Sequence, residues 1–157
     1  MIDRFERFSF AISEISRYWH KIAADELDHY GLKGPYAVYF TTLYRYPEGI
    51  TSARLSELCA RDKSDVSRAI ATMEKMELAV KVGVGGNFYR ARVKLTEKGM
   101  EVARHINERA HVAVEMGGNG LSEAQRENLY DALEIIVNNL QEISRDGLPE
   151  LDGIQAP

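Results

Sequence analysis

Apolar residues near the start of the chain recur at the spacing of a single helical stripe. Phe5, Phe8, Ile12, Ile15, Trp19 and Ile22 stand 3, 4, 3, 4 and 3 positions apart, which predicts one long helix over 3–30 that Gly31 ends. Gly34-Pro35 offers the next start, because proline is well tolerated at the first helical position. Tyr36 to Tyr46 reads as that helix, stopped by Pro47, with Glu48-Gly49 completing a turn. Thr51 or Ser52 can cap a short helix through Leu55, Leu58 and Cys59. Arg61-Asp62-Lys63 interrupts it, and Ser64 or Asp62 can cap a further helix to about Leu78 with Val66, Ile70 and Met73 on its inward stripe.

The period then changes from helical to alternating. Val80, Val82 and Val84 alternate, Gly85-Gly86-Asn87 supplies turn residues, and Ala91, Val93 and Leu95 alternate on return, the pattern of a β-hairpin. Thr96 caps a helix to about Met116, which Gly117-Gly118-Asn119-Gly120 breaks. Ser122 and Gln125 form a capping box for a last helix to about Arg145, where Leu129, Leu133, Ile136, Leu140 and Ile143 repeat at 4, 3, 4 and 3. The stretch 146–157 has little periodicity and reads as an irregular tail, and the chain contains no internal repeat. The predicted fold is mainly α with a small β-hairpin.

Residues 51–95 carry the functional signal: short helix, tight turn, second helix, hairpin. Leu55, Leu58 and Cys59 against Val66, Ile70 and Met73 supply the apolar contact that a helix-turn-helix needs. That packing leaves Ser64, Ser67, Arg68, Ala71, Thr72 and Lys75 on the free face of the second helix. Short residues permit close approach to a major groove, hydroxyls reach phosphates or bases, and arginine can bond guanine bidentately. An ordinary amphipathic helix with a solvated face has the same pattern. Charge separates the two readings. Residues 61–94 hold eight basic and four acidic residues, a net of +4, whereas the rest of the chain holds 12 basic and 20 acidic, a net of −8. The local field governs contact with DNA, so the overall net charge of −4 conceals a basic module. If Ala91, Val93 and Leu95 face inward, Arg90, Arg92 and Lys94 share the opposite face of the hairpin.

A chain of 157 residues with 45% hydrophobic and 28% charged residues fits one soluble domain able to bury a core without metal or disulfides. Its single cysteine, Cys59, excludes a disulfide framework. No apolar run approaches the roughly 20 residues that span a bilayer, so no membrane partner is expected. Asp3, Arg4, Glu6 and Arg7 among the first aromatics do not resemble a secretion signal, and the expected compartment is the cytoplasm.

Gly31-Leu32 before a helix, Leu55-Ser-Glu-Leu-Cys-Ala60, Lys63-Ser-Asp-Val-Ser-Arg68, Met73-Glu-Lys-Met-Glu-Leu78 and Leu95-Thr-Glu-Lys-Gly99 together resemble the MarR family of bacterial transcriptional regulators. The resemblance covers residues 3 to about 145. It implies a winged helix-turn-helix lobe at 35–96, flanked by N- and C-terminal dimerisation helices at 1–34 and 97–145. It further implies a homodimer on a pseudopalindromic double-stranded operator, usually a repressor relieved by a small ligand. On this match Lys63, Ser64, Ser67, Arg68 and Thr72 fall on the DNA-facing part of the second helix, and Ser52, Arg61, Lys75, Asn87, Tyr89, Arg90 and Arg92 complete the set expected to contact DNA. Family wings commonly carry Asp-x-Arg upstream of the Leu-Thr pair; here Asn87 and Tyr89 stand at those positions and Arg90 follows one residue later.

The terminal stripes, Phe5, Phe8 and Ile12 with Leu129, Leu133, Ile136, Leu140 and Ile143, read either as intramolecular core or as a dimer seam. A dimer is favoured because one small reading head offers too few base contacts for operator specificity, and twofold pairing places two reading helices about 34–36 Å apart. Five of the 14 aromatics fall within 36–46. Core packing accounts for them; the resemblance implies a second reading, an effector site for an aromatic ligand between the dimer helices and the DNA-binding lobe, for which Tyr18, Trp19, Tyr36, Tyr39 and Phe40 are the candidates.

Cys59 lies in an apolar stripe and reads as a buried structural thiol, not a redox sensor. His20, Asp25, Asp28 and His29, with His105 and His111, are explained by solvated helix surfaces, and neither a metal nor a cofactor is expected. No Gly-x-Ser-x-Gly, phosphate-cradling loop or His-Glu-x-x-His is present, so catalysis is not expected. Two other readings stand beside the DNA-binding regulator: a winged helix that binds proteins, and a small-molecule sensor with weak DNA binding.

Overall fold

The computed structural model describes residues 3–84 and 87–148, without the side chains of residues 84 and 87–90. The elements run α1 (Arg4–Asp28), α2 (Ala37–Tyr44), β1 (Ile50–Thr51), α3 (Ser52–Cys59), α4 (Lys63–Lys75), β2 (Ala79–Val84), β3 (Asn87–Leu95), α5 (Glu97–Gly117) and α6 (Glu123–Asp146), with a 3-10 turn at Gly34–Tyr36 before α2. None of these helices is long and apolar enough to cross a membrane.

Capping chemistry sets most helix boundaries. Asp3 caps α1, Thr51 caps α3 and Asp62 caps α4, each in extended backbone with its side chain accepting from a first-turn N–H. Between the paired alternatives, therefore, Thr51 and Asp62 take the cap positions. At the other ends, α1, α3 and α4 all close with the same reversed turn. Leu32 N–H bonds Leu27 C=O at 3.1 Å, Arg61 N–H bonds Ser56 C=O at 3.1 Å, and Leu78 N–H bonds Met73 C=O at 2.8 Å. The residue before each of these donors is left-handed: Gly31 at φ 68°, Ala60 at 48° and Glu77 at 61°. Helix α4 thus stops at Lys75, three residues short of the Leu78 expected from periodicity, and Leu78 becomes a buried link into the hairpin.

The three strands form one antiparallel sheet in the order β1-β3-β2, with Ile50 opposite Val93, Ala79 opposite Leu95, Val80 opposite Lys94 and Val82 opposite Arg92. The strand β1 carries no sequence signal of its own, because two residues are too few for alternation to show. Val93 and Leu95 are buried and Arg92 is exposed, as period-two geometry requires. Val80 and Val82 point outward beside Arg92 and Lys94, so the apolar alternation of β2 marks its solvent face, and Ala79 is its inward residue.

Two compact units divide the chain, 1–114 and 115–157. The core of the first gathers Leu27 and Leu32 after α1, Phe40 and Leu43 of α2, Leu55 and Cys59 of α3, Val66, Ile70 and Met73 of α4, Val93 and Leu95 of β3, and Val102 and Ile106 of α5. The expected contact between the two helices of the helix-turn-helix is therefore present, with Leu55, Cys59, Val66, Ile70 and Met73 all buried and Leu58 half-buried. The second unit consists of the end of α5 and α6. There the Ser122–Gln125 capping box forms as expected, and Arg126 clasps Glu115 through its backbone oxygen at 3.2 Å and its carboxylate at 3.3 Å. No residue of α6 is buried. Helix α6 ends at Asp146, and residues 149–157 of the expected tail lie outside the described residues.

Candidate nucleic-acid interface

Helix α4 is fixed by its cap and by one buried face. The carboxylate of Asp62 accepts from the Ser64 N–H at 3.0 Å, the Asp65 N–H at 2.9 Å and the Ser64 hydroxyl at 2.6 Å. These bonds, that from the Ser64 hydroxyl foremost, hold Asp62 below the usual carboxylate range. Val66, Ala69, Ile70 and Met73 are buried. The opposite face presents Lys63, Ser64, Ser67, Arg68, Ala71 and Lys75, all exposed, with Thr72 half-buried.

The guanidinium of Arg68 is 70% exposed and rests against the carboxylate of Asp65, one turn back. The Thr72 hydroxyl donates to the Arg68 backbone oxygen at 3.0 Å. Of the three hydroxyls on this face, those of Ser64 and Thr72 are engaged within the helix, and Ser67 is the one without such a bond among the described residues. Surface pairs like Arg68–Asp65 contribute little to stability, so exchanging the carboxylate for a DNA group costs little.

Arg61 occupies the turn between α3 and α4, where its backbone oxygen accepts from the Ser56 hydroxyl at 2.5 Å. Ser52 opens α3, half-buried. Arg92 and half-buried Lys94 extend from the outward face of β3. Lys81 leans to Glu74 of α4 at 3.4 Å, another surface pair that contributes little. The side chains of Asn87, Tyr89 and Arg90, expected to contact DNA, lie outside the described residues.

The aromatic residues do not form one site. Phe40 is fully buried and Tyr39 nearly so, both members of the core, and burial pushes the Tyr39 phenol up. Helix α2 packs against α1, α3 and β3, and Tyr39 and Phe40 fall on its buried side. Tyr36 meets Tyr39 edge to face at 6.1 Å. Tyr18 stands in solvent under the Arg17 guanidinium, 4.4 Å from its ring centre. Of the five candidates, Trp19 lines the cavity between α1, α2 and α5.

That cavity, of about 330 Å³, lies between α1, α2 and α5, with Ile22, Pro35, Val38 and Ile106 among its apolar walls. Its polar groups are Glu26, Arg109, His20, Thr41 and Arg61. Glu26 accepts from Arg109 Nε at 2.8 Å and meets His105 Nε2 at 3.1 Å. The bond from Arg109, with further help from His105, keeps its carboxyl below the ordinary range against the opposing effect of burial. Sequence periodicity could not find this site, because Glu26 and Arg109 are 83 positions apart. Arg61 reaches it from the helix-helix turn, so one residue borders both the cavity and the reading helix.

Cys59 is buried, its thiol donating to Thr42 Oγ1 at 3.4 Å, and burial pushes the thiol up. Among the described residues, no cluster of three His, Cys, Asp or Glu side chains is arranged to hold a metal.

The apolar stripes at the chain's ends remain uncovered within one copy. Phe5 is 71% exposed, and Phe8, Ile12, Ile15 and Ile22 are exposed as well. In the second unit Leu129, Leu140 and Ile143 are exposed and Leu133 and Ile136 half-buried.

No family model matches the chain, and no curated protein matches it by sequence. Solved structures do. A MarR transcriptional regulator from Methanosarcina mazei Go1 is 26% identical, with a TM-score of 0.78 over 91% of this chain and 94% of its own. A putative MarR family regulator from Listeria monocytogenes, solved with a 26mer DNA, is 25% identical, with a TM-score of 0.76 over 96% and 99%. The transcriptional regulator SlyA is 25% identical, with a TM-score of 0.78 over 86% and 94%. All three of these neighbours are transcriptional regulators.

Proposed function

We propose that this chain, a winged-helix protein of the MarR family, is a DNA-binding transcriptional regulator that works as a homodimer on a pseudopalindromic operator. The observation that carries the reading is the division of α4 into a fully buried apolar face and an exposed face of small, hydroxylated and basic residues. Lys63, Arg61 and Arg92 supply phosphate contacts, with Ser52 and Lys75 at the margins, while Ser67, Arg68 and Thr72 meet base edges. The uncovered stripes of α1 and α6 support pairing of two copies, because large apolar surface left in water is unfavourable. Two copies bring two reading helices to adjacent major grooves.

Selection of bound duplexes from a random pool tests this directly. The expected product is an inverted repeat with half-sites about one helical turn apart, roughly 34–36 Å between centres. Absence of any enriched sequence, together with weak salt dependence, would overturn it in favour of a protein-binding winged helix.

The α1–α2–α5 cavity supports relief of repression by a small ligand. Its volume falls at the lower end of the range of about 300–1,000 Å³ for such sites, and its walls are mostly apolar with a few polar groups. A ligand there acts only by binding more tightly to the conformer whose reading helices misfit the operator. Filling the cavity through Ala110→Trp tests its coupling to DNA: a changed operator affinity with an unchanged enriched sequence is expected, and unchanged affinity would detach the cavity from regulation.

A further inference from the structure

A second cationic site lies outside the reading helix, where the turn after α2 folds against the sheet. Gly49 has a φ of 80°, and a Cβ there would stand 2.9 Å from the Val93 backbone oxygen and 3.1 Å from Arg92 Cβ. Only glycine lets the turn press this closely on β3. The close approach brings Arg45, at the end of α2, to the same groove as Arg92 on β3, and Arg54 completes it from the first turn of α3. The groove measures about 420 Å³, and Tyr46 and Thr51 also border it.

Its charge is one-sided. Glu48 is the single acidic residue in the wall. Glu57 takes up part of Arg54, at 2.9 Å on the surface. Among the described residues, no carboxylate lies within ion-pair distance of Arg45 or Arg92. Three arginines bordering one open groove suit a phosphate, which guanidinium groups can grip in the bidentate manner that ammonium groups cannot. The first turn of α3 adds the positive end of a helix dipole.

We propose that Arg45 and Arg54 form, with Arg92, a clamp on the phosphodiester backbone of DNA flanking the segment read by α4. The proposal rests on the DNA-binding reading and extends it: the footprint reaches past the basic stretch at 61–94 to residues on either side of a turn that the charge pattern alone leaves out. A phosphate contact positions the protein without reading sequence, so the clamp sets affinity and register and leaves the preferred sequence untouched.

The experiment compares the full-length protein with Arg45→Gln, Arg54→Gln and the double variant on the duplex enriched by selection, from 50 to 200 mM salt. The expected result is weaker binding for each variant and a salt slope shallower by about 0.9 for each phosphate that is no longer neutralised. Enriched sequences are expected to stay the same, and affinity for unrelated duplex to fall by the same factor. Glu57→Gln, which releases Arg54, is expected to leave binding equal or tighter. Wild-type slopes and affinities in both arginine variants, beside a steeply salt-dependent parent, would overturn the clamp and leave the regulator reading intact. A parent with no salt-dependent duplex binding would overturn both. Inorganic phosphate distinguishes the remaining source of the same chemistry: millimolar phosphate binding that both variants lose, with duplex binding unaffected, would refute the assignment to the DNA backbone.

Discussion

Glu26 of α1 and Arg109 of α5 meet at 2.8 Å on the wall of the cavity, and His105, one turn before Arg109, closes on the same carboxylate at 3.1 Å. The tie joins an end of the first apolar stripe to the helix that follows the hairpin. Because the native carboxyl is held low, the stability it supplies is complete above the unfolded value, near pH 4.3, and is lost as pH falls through the native one. Glu26→Gln should lower the melting temperature at pH 7, and the gap to the parent should close below about pH 4. An equal gap at pH 7 and pH 3 in thermal scans would show that the ion pair contributes nothing.

Arg68 is exposed, and among the described residues its guanidinium meets the neighbouring Asp65 carboxylate alone. Arg68→Ala should cost about 1–3 kcal/mol in operator binding and relax the preference at one base position in each half-site. Asp65→Asn should free the guanidinium and tighten binding. Fluorescence anisotropy on single-substitution duplexes reads both effects; an unaltered base preference in Arg68→Ala would move base reading elsewhere on α4.

Pairing through α6 predicts that Leu133→Asp with Leu140→Asp yields a monomer that still folds, since neither residue belongs to a buried core in one copy. The same variant should lose operator binding, because half-site recognition by one reading helix is too weak. Sedimentation velocity decides the first point and a gel-shift titration the second. A dimeric double variant would place the seam elsewhere.

The raised, buried Cys59 thiol should be inert in the native protein. Alkylation by iodoacetamide at pH 7.5 should be at least about tenfold slower than in guanidinium-unfolded chain, and peroxide should leave DNA binding unchanged. Rapid native alkylation, followed by mass spectrometry, would contradict the structural role.

Gly99, in the first turns of α5, touches the end of α4's exit turn. A Cβ at this position would fall 1.9 Å from the Leu78 backbone oxygen, and the Thr96 hydroxyl that receives the Gly99 N–H also donates to Glu77 C=O at 2.7 Å. Gly99→Ala should therefore destabilise by about 1–3 kcal/mol or more, as forced overpacking against backbone does. Chemical denaturation measures it; a neutral result would mean that α5 shifts freely on the hairpin.

Much of this architecture was legible along the chain. The caps at Asp62, Thr51 and Ser122, the Gly31 stop and the hairpin follow from local rules, since each depends on a few adjacent residues. The face of α4 was readable for the same reason. The early end of α4 was not, because its reversed turn uses Glu77 in a left-handed conformation usually given to glycine. Nor was the fate of the aromatics: Phe8 and Phe40 are alike as residues, yet one is exposed and the other fully buried.

Periodicity by itself determined which side chains share a face, and therefore where helices, hairpin and reading surface lie, because backbone geometry repeats every few residues. What each face meets was decided only in three dimensions. The outward turn of Val80 and Val82, the Glu26–Arg109 tie and the groove shared by Arg45, Arg54 and Arg92 all join positions that chain-local patterns treat as unrelated. The reason is physical: hydrogen-bonded repeats are set by neighbours in sequence, whereas burial, cavities and fields are set by neighbours in space.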